Sequence, residues 1–461
     1  MVNRHFGMSV WICAGICLAF GGLGLAGSHA QAGTAFAPDP TRLEKQRIVN
    51  DSLPSKPTVP PTIIIPAEPL GFSAPGSIYL GQRNALVSLD FLDENRLLFT
   101  FRVPGLIRRE PGERGDERKI RAVVLSLPTG NVEAEALWPV HDRMRYLWML
   151  NDGHFILRDR DGLQLGDSAL QLKPFLHFPG PVTFLELDPQ QQFLVTDSLE
   201  PAASATIAAN DAKPTLHTGA NDQSPALSGT SAASTDPPIK EAGEQQDNVL
   251  RIMRRDSGKV MLVARVPTAI HLPLNSEGYI ETLRGNGTRW MLNMNYFSGG
   301  SRVVGHVDSN CRPVYEFISE RELLATVCES WGGDRLVAMD AHDGRRLWDV
   351  LASSSGVWPL LIKSPNGLRV ARETLAVSHA VNASSPLDPD EIKGQLVRVF
   401  DAANGKEVLA APATPALDAG GTVAISPSGR RVAVINAGAI QVFDLPQPAP
   451  LQDNPAVQAA H

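Results

Sequence analysis

Val423-Ala424-Ile425-Ser426-Pro427-Ser428-Gly429-Arg430-Arg431-Val432-Ala433-Val434-Ile435 reads as two short apolar strands around a tight polar turn. Serine and proline favour turn backbone angles, and glycine supplies the conformation that closes the hairpin. The same strand–turn–strand unit recurs upstream. Its turns are Asp93-Glu94-Asn95, Asn151-Asp152-Gly153, Asp188-Pro189-Gln190, Asn275-Ser276-Glu277-Gly278, Ser319-Glu320-Arg321 and Ser364-Pro365-Asn366-Gly367. With the first, that makes seven.

A second turn follows in several units, at Thr129-Gly130, Asp256-Ser257-Gly258, Asp343-Gly344 and Asn404-Gly405. Two hairpins per unit make a four-stranded sheet. Repetition at about 40 residues is the sequence mark of a propeller. Helical spacing is nowhere sustained. The expected fold is all-β, a seven-bladed β-propeller of four-stranded antiparallel blades over residues 76–446. The last unit is one strand short. A strand near Ser77-Ile78-Tyr79-Leu80 is expected to complete it, joining both ends of the propeller in one blade.

The remaining stretches differ in composition. Ser9 to Ala26 is nearly uncharged, and Ser28-His29-Ala30 and Ala30-Gln31-Ala32 fit signal-peptidase sites, so residues 1–32 read as a signal peptide. The alternative is an uncleaved membrane anchor. Residues 33–75 are proline-rich and read as a linker or arm that cannot hold a helix or a central strand. Residues 199–247, within the third blade, lack aromatic side chains and read as a disordered insertion. Residues 379–393 read as a smaller insertion in the sixth, and 447–461 as a disordered tail.

Leu336-Val337-Ala338-Met339-Asp340-Ala341-His342-Asp343-Gly344-Arg345-Arg346-Leu347-Trp348 resembles a quinoprotein-type propeller repeat. Val399 to Leu409 looks like the same unit without the tryptophan, and the Ser-Pro-x-Gly turns resemble WD40-type repeats. The body is thus similar to exported bacterial propellers with WD40-like or quinoprotein-like (PQQ) repeats. Only one unit keeps both the Asp-x-x-x-Gly turn and the tryptophan, so no cofactor-binding residue is carried over.

Net charge is −7, from 42 basic and 49 acidic residues, without a basic run suited to nucleic acid. Once a signal is removed, the mature chain keeps Cys311 and Cys328. An exported protein is expected to pair them, the alternative being two buried thiols. Cys13 and Cys17 lie in the signal segment.

No nucleophile elbow, phosphate loop or dinucleotide fingerprint occurs in the right context. His141-Asp142 and His342-Asp343 sit in β context and read as turn or surface residues. The tryptophans are expected to pack between blades. Trp331, beside Gly332-Gly333, is a candidate ligand-face aromatic. No catalytic, cofactor-binding or metal-ligating residue and no cofactor are expected. The expected role is an extracytoplasmic binding or scaffold module, periplasmic or secreted and monomeric. Its partners would be proteins or peptides, with no membrane span after signal cleavage. The alternative is a quinoprotein-like or lactonase-like enzyme working in the central channel.

Overall fold

The computed structural model describes residues 53–74, 86–103, 118–141, 145–201, 246–267, 271–329, 334–353, 357–378, 389–417 and 420–451. In chain order β1 (Ile63–Pro66) comes first. Blade 1 is β2 (Ser88–Asp93), β3 (Arg96–Arg102), β4 (Arg118–Ser126) and β5 (Val132–Val140). Blade 2 is β6 (Leu147–Met149), β7 (Phe155–Asp159), β8 (Gly162–Gly166) and β9 (Leu172–His177). Blade 3 is β10 (Val182–Leu187), β11 (Phe193–Pro201), β12 (Gln246–Arg254) and β13 (Val260–Val266). Blade 4 is β14 (Gly278–Arg284), β15 (Arg289–Tyr296) and β16 (Ser301–Asp308). Blade 5 is β17 (Val314–Phe317), β18 (Glu322–Cys328), β19 (Asp334–Asp340) and β20 (Arg346–Ser353). Blade 6 is β21 (Val357–Lys363), β22 (Arg369–Val377), β23 (Ile392–Asp401) and β24 (Glu407–Ala413). Blade 7 is β25 (Val423–Ile425), β26 (Arg431–Asn436) and β27 (Ala439–Asp444), closed on its outer side by β1.

The fold is therefore the seven-bladed, all-β propeller read from the turns. Each of the seven turns lies between the innermost strand of a blade and the next, and the second turns join the third strand to the outermost. Blade 4 has three strands because its innermost strand is reduced to one bridge, Leu274 to Tyr279. Pro273 precedes that bridge and brings a carbonyl but no N–H to a ladder; its oxygen accepts from Ile280 at 2.8 Å.

The ring closes with an earlier segment than the sequence suggested. Ile63 pairs with Val442 and Pro66 with Ala439, while Ser77–Leu80 lie outside the described residues. Prolines bracket this short run, yet an outermost strand needs only one hydrogen-bonded side, which is where proline is tolerated. Two other boundaries also move. The middle strands of blade 3 run to Pro201 and restart at Gln246, leaving 202–245 outside the described residues. Beyond Pro446 the chain stays docked as far as Leu451, with Ala449 donating to Asp401 at 3.3 Å.

Seven apolar clusters hold the ring, one at each junction between neighbouring blades. Burying one Leu, Ile or Phe side chain contributes about 1.5–3 kcal/mol, so every junction is a core in its own right. Trp138, Trp148, Trp290 and Trp348 are buried at four of these junctions, as expected. Trp348 shows why its repeat unit pairs a tryptophan with an Asp-x-x-x-Gly turn. Its indole donates to Ala402 of the next blade at 2.6 Å and lies against Gly405, where a Cβ would come within 2.6 Å of the ring. Gly405 also has φ +69°, a conformation costly for other residues.

Candidate functional site in the central channel

The innermost strands of blades 1, 2, 3, 5, 6 and 7, with the segment leading into blade 4, enclose a cavity of about 340 Å³. Its wall is largely apolar, with Phe91, Trp148, Phe184, Leu360, Ile362 and Ile425 among the lining residues. The inner turns are tied across blades at the same end. The Gln191 carboxamide of blade 3 accepts from Asn151 N at 2.7 Å and donates to Met149 O at 3.1 Å, both of blade 2. Glu320 of blade 5 accepts from Ser276 N at 2.9 Å, and Glu94 of blade 1 accepts from Ser428 N of blade 7 at 2.6 Å. Saturating these turn amides fixes the spacing of the inner strands, and with it the width of the channel.

Three acid–base pairs project from this wall. His271 Nε2 lies 2.9 Å from Glu186 Oε2. Lys363 Nζ lies 3.4 Å from Glu316 Oε1 and donates to the Phe317 carbonyl at 2.8 Å. Asp90 faces Arg145, and its carboxylate accepts from Ser88 Oγ at 2.5 Å. The Arg145 guanidinium stands 5.2 Å from the centre of the Trp148 ring, with Arg158 5.5 Å from the same ring.

All three pairs span neighbouring blades, and the Glu186–His271 and Glu316–Lys363 pairs also act on each other. Burial pulls the His271 imidazole down, but the Glu186 carboxylate beside it, helped by Glu316, holds it above its ordinary value. Burial pushes Asp90 up, against the lowering pull of Ser88 and Arg145. Tyr315 adds a hydroxyl that burial also pushes up and that has no hydrogen-bond partner within the described structure. Apolar walls, aromatic faces and neutralised charges of both signs together suit a ligand that is itself dipolar.

Of the residues singled out in the sequence, Cys311 and Cys328 form a disulfide with Cα atoms 5.5 Å apart. It ties the approach to β17 to the end of β18, away from the channel residues. Trp331 lies outside the described residues. His141 Nδ1 lies 3.1 Å from Asp159 Oδ2, and Asp142 lies outside the described residues. His342 sits exposed in a turn, its amide donating to Asp340 at 2.8 Å. Sequence reasoning missed the channel pairs. The available signal was positional: Asp90, Glu186, Glu316 and Lys363 are charged residues inside inner strands otherwise rich in apolar side chains. Among the described residues, no group of three or more His, Cys, Asp or Glu side chains is placed to hold a metal ion.

No protein-family model and no curated protein matches this sequence. Solved structures do share the fold. Acylaminoacyl peptidase from Pyrococcus horikoshii aligns at 9% identity over 84% of this chain and 55% of its own, with a TM-score of 0.44. This chain thus spans about half the length of that peptidase. TolB from Acinetobacter baumannii aligns at 11% identity over 73% of this chain and 78% of its own, with a TM-score of 0.36. The β-propeller domain of the Trilobed protease from Pyrococcus furiosus aligns at 11% identity over 80% of this chain and 96% of its own, with a TM-score of 0.39. The likeness is one of fold, and propellers host many unrelated activities.

Proposed function

We propose that this chain is an exported binding module whose channel takes a short peptide segment. The observation that carries the reading is the cavity with its paired charges. At about 340 Å³ it sits at the lower end of the roughly 300–1,000 Å³ typical of ligand sites, room for a few residues rather than a domain. Peptide ends and side chains carry both signs of charge, and Glu186–His271 beside Glu316–Lys363 offers partners for both. The apolar N-terminal run in the sequence and the Cys311–Cys328 bond support the compartment, because structural disulfides persist in oxidising environments.

The test is fluorescence anisotropy with a library of labelled short peptides, run against the wild type, Lys363→Met and Glu186→Gln. A peptide that binds the wild type should lose at least about tenfold in affinity in each variant, as expected when one partner of a desolvated charge pair is removed. Equal affinity for all three proteins refutes the channel as the site.

One observation favours a second reading, catalysis in the channel. An imidazole oriented by a carboxylate and open to a cavity, as His271 is by Glu186, is the arrangement a general base requires. Turnover of a chromogenic ester or lactone that disappears in His271→Gln would select it.

A further inference from the structure

A strand at the edge of a sheet offers a row of unpaired N–H and C=O groups, and stable proteins blunt such edges with charge, proline, bulges or shortness. The seven outermost strands allow a direct comparison. β5 carries Glu133, Glu135 and Pro139, and β9 carries Lys173 and Pro174. β16 has Arg302, Asp308 and a break in register, and β20 has Arg346, Asp349 and two such breaks. β24 has Glu407 and Pro412, and β1 is four residues ending in proline. β13 departs from the pattern over most of its length, its one charged residue being Arg265, next to its last position. Val260-Met261-Leu262-Val263-Ala264 is an unbroken apolar run, and Val260, Met261 and Val263 are 45%, 42% and 53% exposed. Its one register break lies at the start, and from Leu262 to Val266 the ladder is regular.

We propose that β13 is a docking edge for an extended peptide strand of a partner protein, added to blade 3 by main-chain pairing. Area and charge select that occupant. A seven-residue strand is about 23 Å long, so a second rigid propeller meeting it edge to edge buries a few hundred Å², well short of the roughly 1,000 Å² a stable interface needs. A single extended segment covers the edge and both faces of the exposed side chains, which is the mode of strand addition. Around the start of the strand Arg254 pairs with Asp256, Arg255 lies 3.9 Å from Asp152 and Lys259 stands beside them, while Arg265, next to the last residue, pairs with Asp247 at 2.7 Å, leaving four bases against three acids. The matching peptide is apolar in its centre and acidic at its flanks. This site lies on the rim of the propeller and does not depend on the channel reading.

The probe is a synthetic decapeptide of alternating valine and threonine with two glutamates at each end, immobilised for surface plasmon resonance. It should bind the full chain with a Kd of about 10–100 μM. Val263→Lys, an exposed position where a lysine blunts the edge, should weaken it at least about tenfold. Leu137→Lys on β5 should leave it unchanged. Hydrogen exchange of the complex should slow at amides of β13 and at no other outermost strand. No binding at about 1 mM peptide, equal binding to Val263→Lys, or protection elsewhere overturns the proposal. A concentration-dependent dimer that Val263→Lys dissolves also overturns it, assigning the edge to a second copy.

Discussion

Replacing Glu373 by glutamine should change how the stability of the propeller depends on pH, and by an amount the structure sets. Glu373 lies on β22 with no exposed surface. One carboxyl oxygen accepts from Thr422 Oγ1 of blade 7, and the other has no hydrogen-bond partner within the described structure. Burial pushes its pKa up from 4.5 to about 8, although the neighbouring Gln395 side chain pulls the other way. The folded protein therefore holds this carboxyl neutral at pH values where the unfolded chain has released the proton. A raised carboxyl contributes its full stability below the unfolded value and loses it as pH rises through the folded one. The loss is about 1.4 kcal/mol per pH unit between those limits, hence about 3 kcal/mol between pH 4.5 and 7. Glutamine keeps the shape and the acceptor for Thr422 but does not titrate. Its amide nitrogen replaces the unpartnered oxygen, which adds a fixed cost that does not vary with pH. The stability of Glu373→Gln minus that of the wild type should thus climb by about 3 kcal/mol over this range and level off above about pH 8. Urea unfolding of both oxidised proteins at half-unit steps of pH, followed by tryptophan fluorescence, measures that difference. A difference flat to within about 0.5 kcal/mol refutes the reasoning, because it would mean that Glu373 is already ionised in the folded state.

Other expectations are equally direct. Ile65→Ala, at a buried position of the closing strand, should cost about 2–4 kcal/mol in urea unfolding, while the exposed neighbour Ile64→Ala should cost under about 0.5 kcal/mol. Trp348→Phe should cost about 1–3 kcal/mol by the same measurement, since it leaves the Ala402 carbonyl without the indole donor at a buried junction. Glu186→Gln should lower the titration midpoint of His271 followed by NMR. The imidazolium pair stabilises the fold at acid pH and is lost as pH rises through the raised value, so an unmoved midpoint would show that Glu186 does not set it.

The blade count was legible because each inner hairpin announces itself locally, through Asp, Asn, Ser, Pro and Gly at fixed places between short apolar runs. The closing strand was hidden by the prolines around Ile63-Ile64-Ile65, which argue against a central strand and say nothing against an outer one. The shortened inner strand of blade 4 was marked by Pro273, whose effect depends on what faces it. The channel pairs were illegible for a different reason. Glu186 and His271 stand on different blades, as do Glu316 and Lys363, and only closure of the ring decides which charge meets which. The Cys311–Cys328 pairing, by contrast, needs only the β17–β18 hairpin, a local feature.

The latch formed by β1 has a consequence for the order in which the molecule assembles. Thr62 hydrogen-bonds Val442 across 380 positions of sequence, and the rings of Phe72, Phe99 and Phe101 pack just beyond it at centroid distances of 4.9–5.5 Å. During synthesis the earliest of the described strands finds its partner only after the last one has been made. Until then the blades form an open arc with two raw ends, one showing the phenylalanines and the other the bare side of β27. Contacts of such long range are slow to form, so closure should be the late step of folding. For that interval the nascent chain carries two sticky surfaces made for each other, and its exposure to aggregation is set by how long they stay apart.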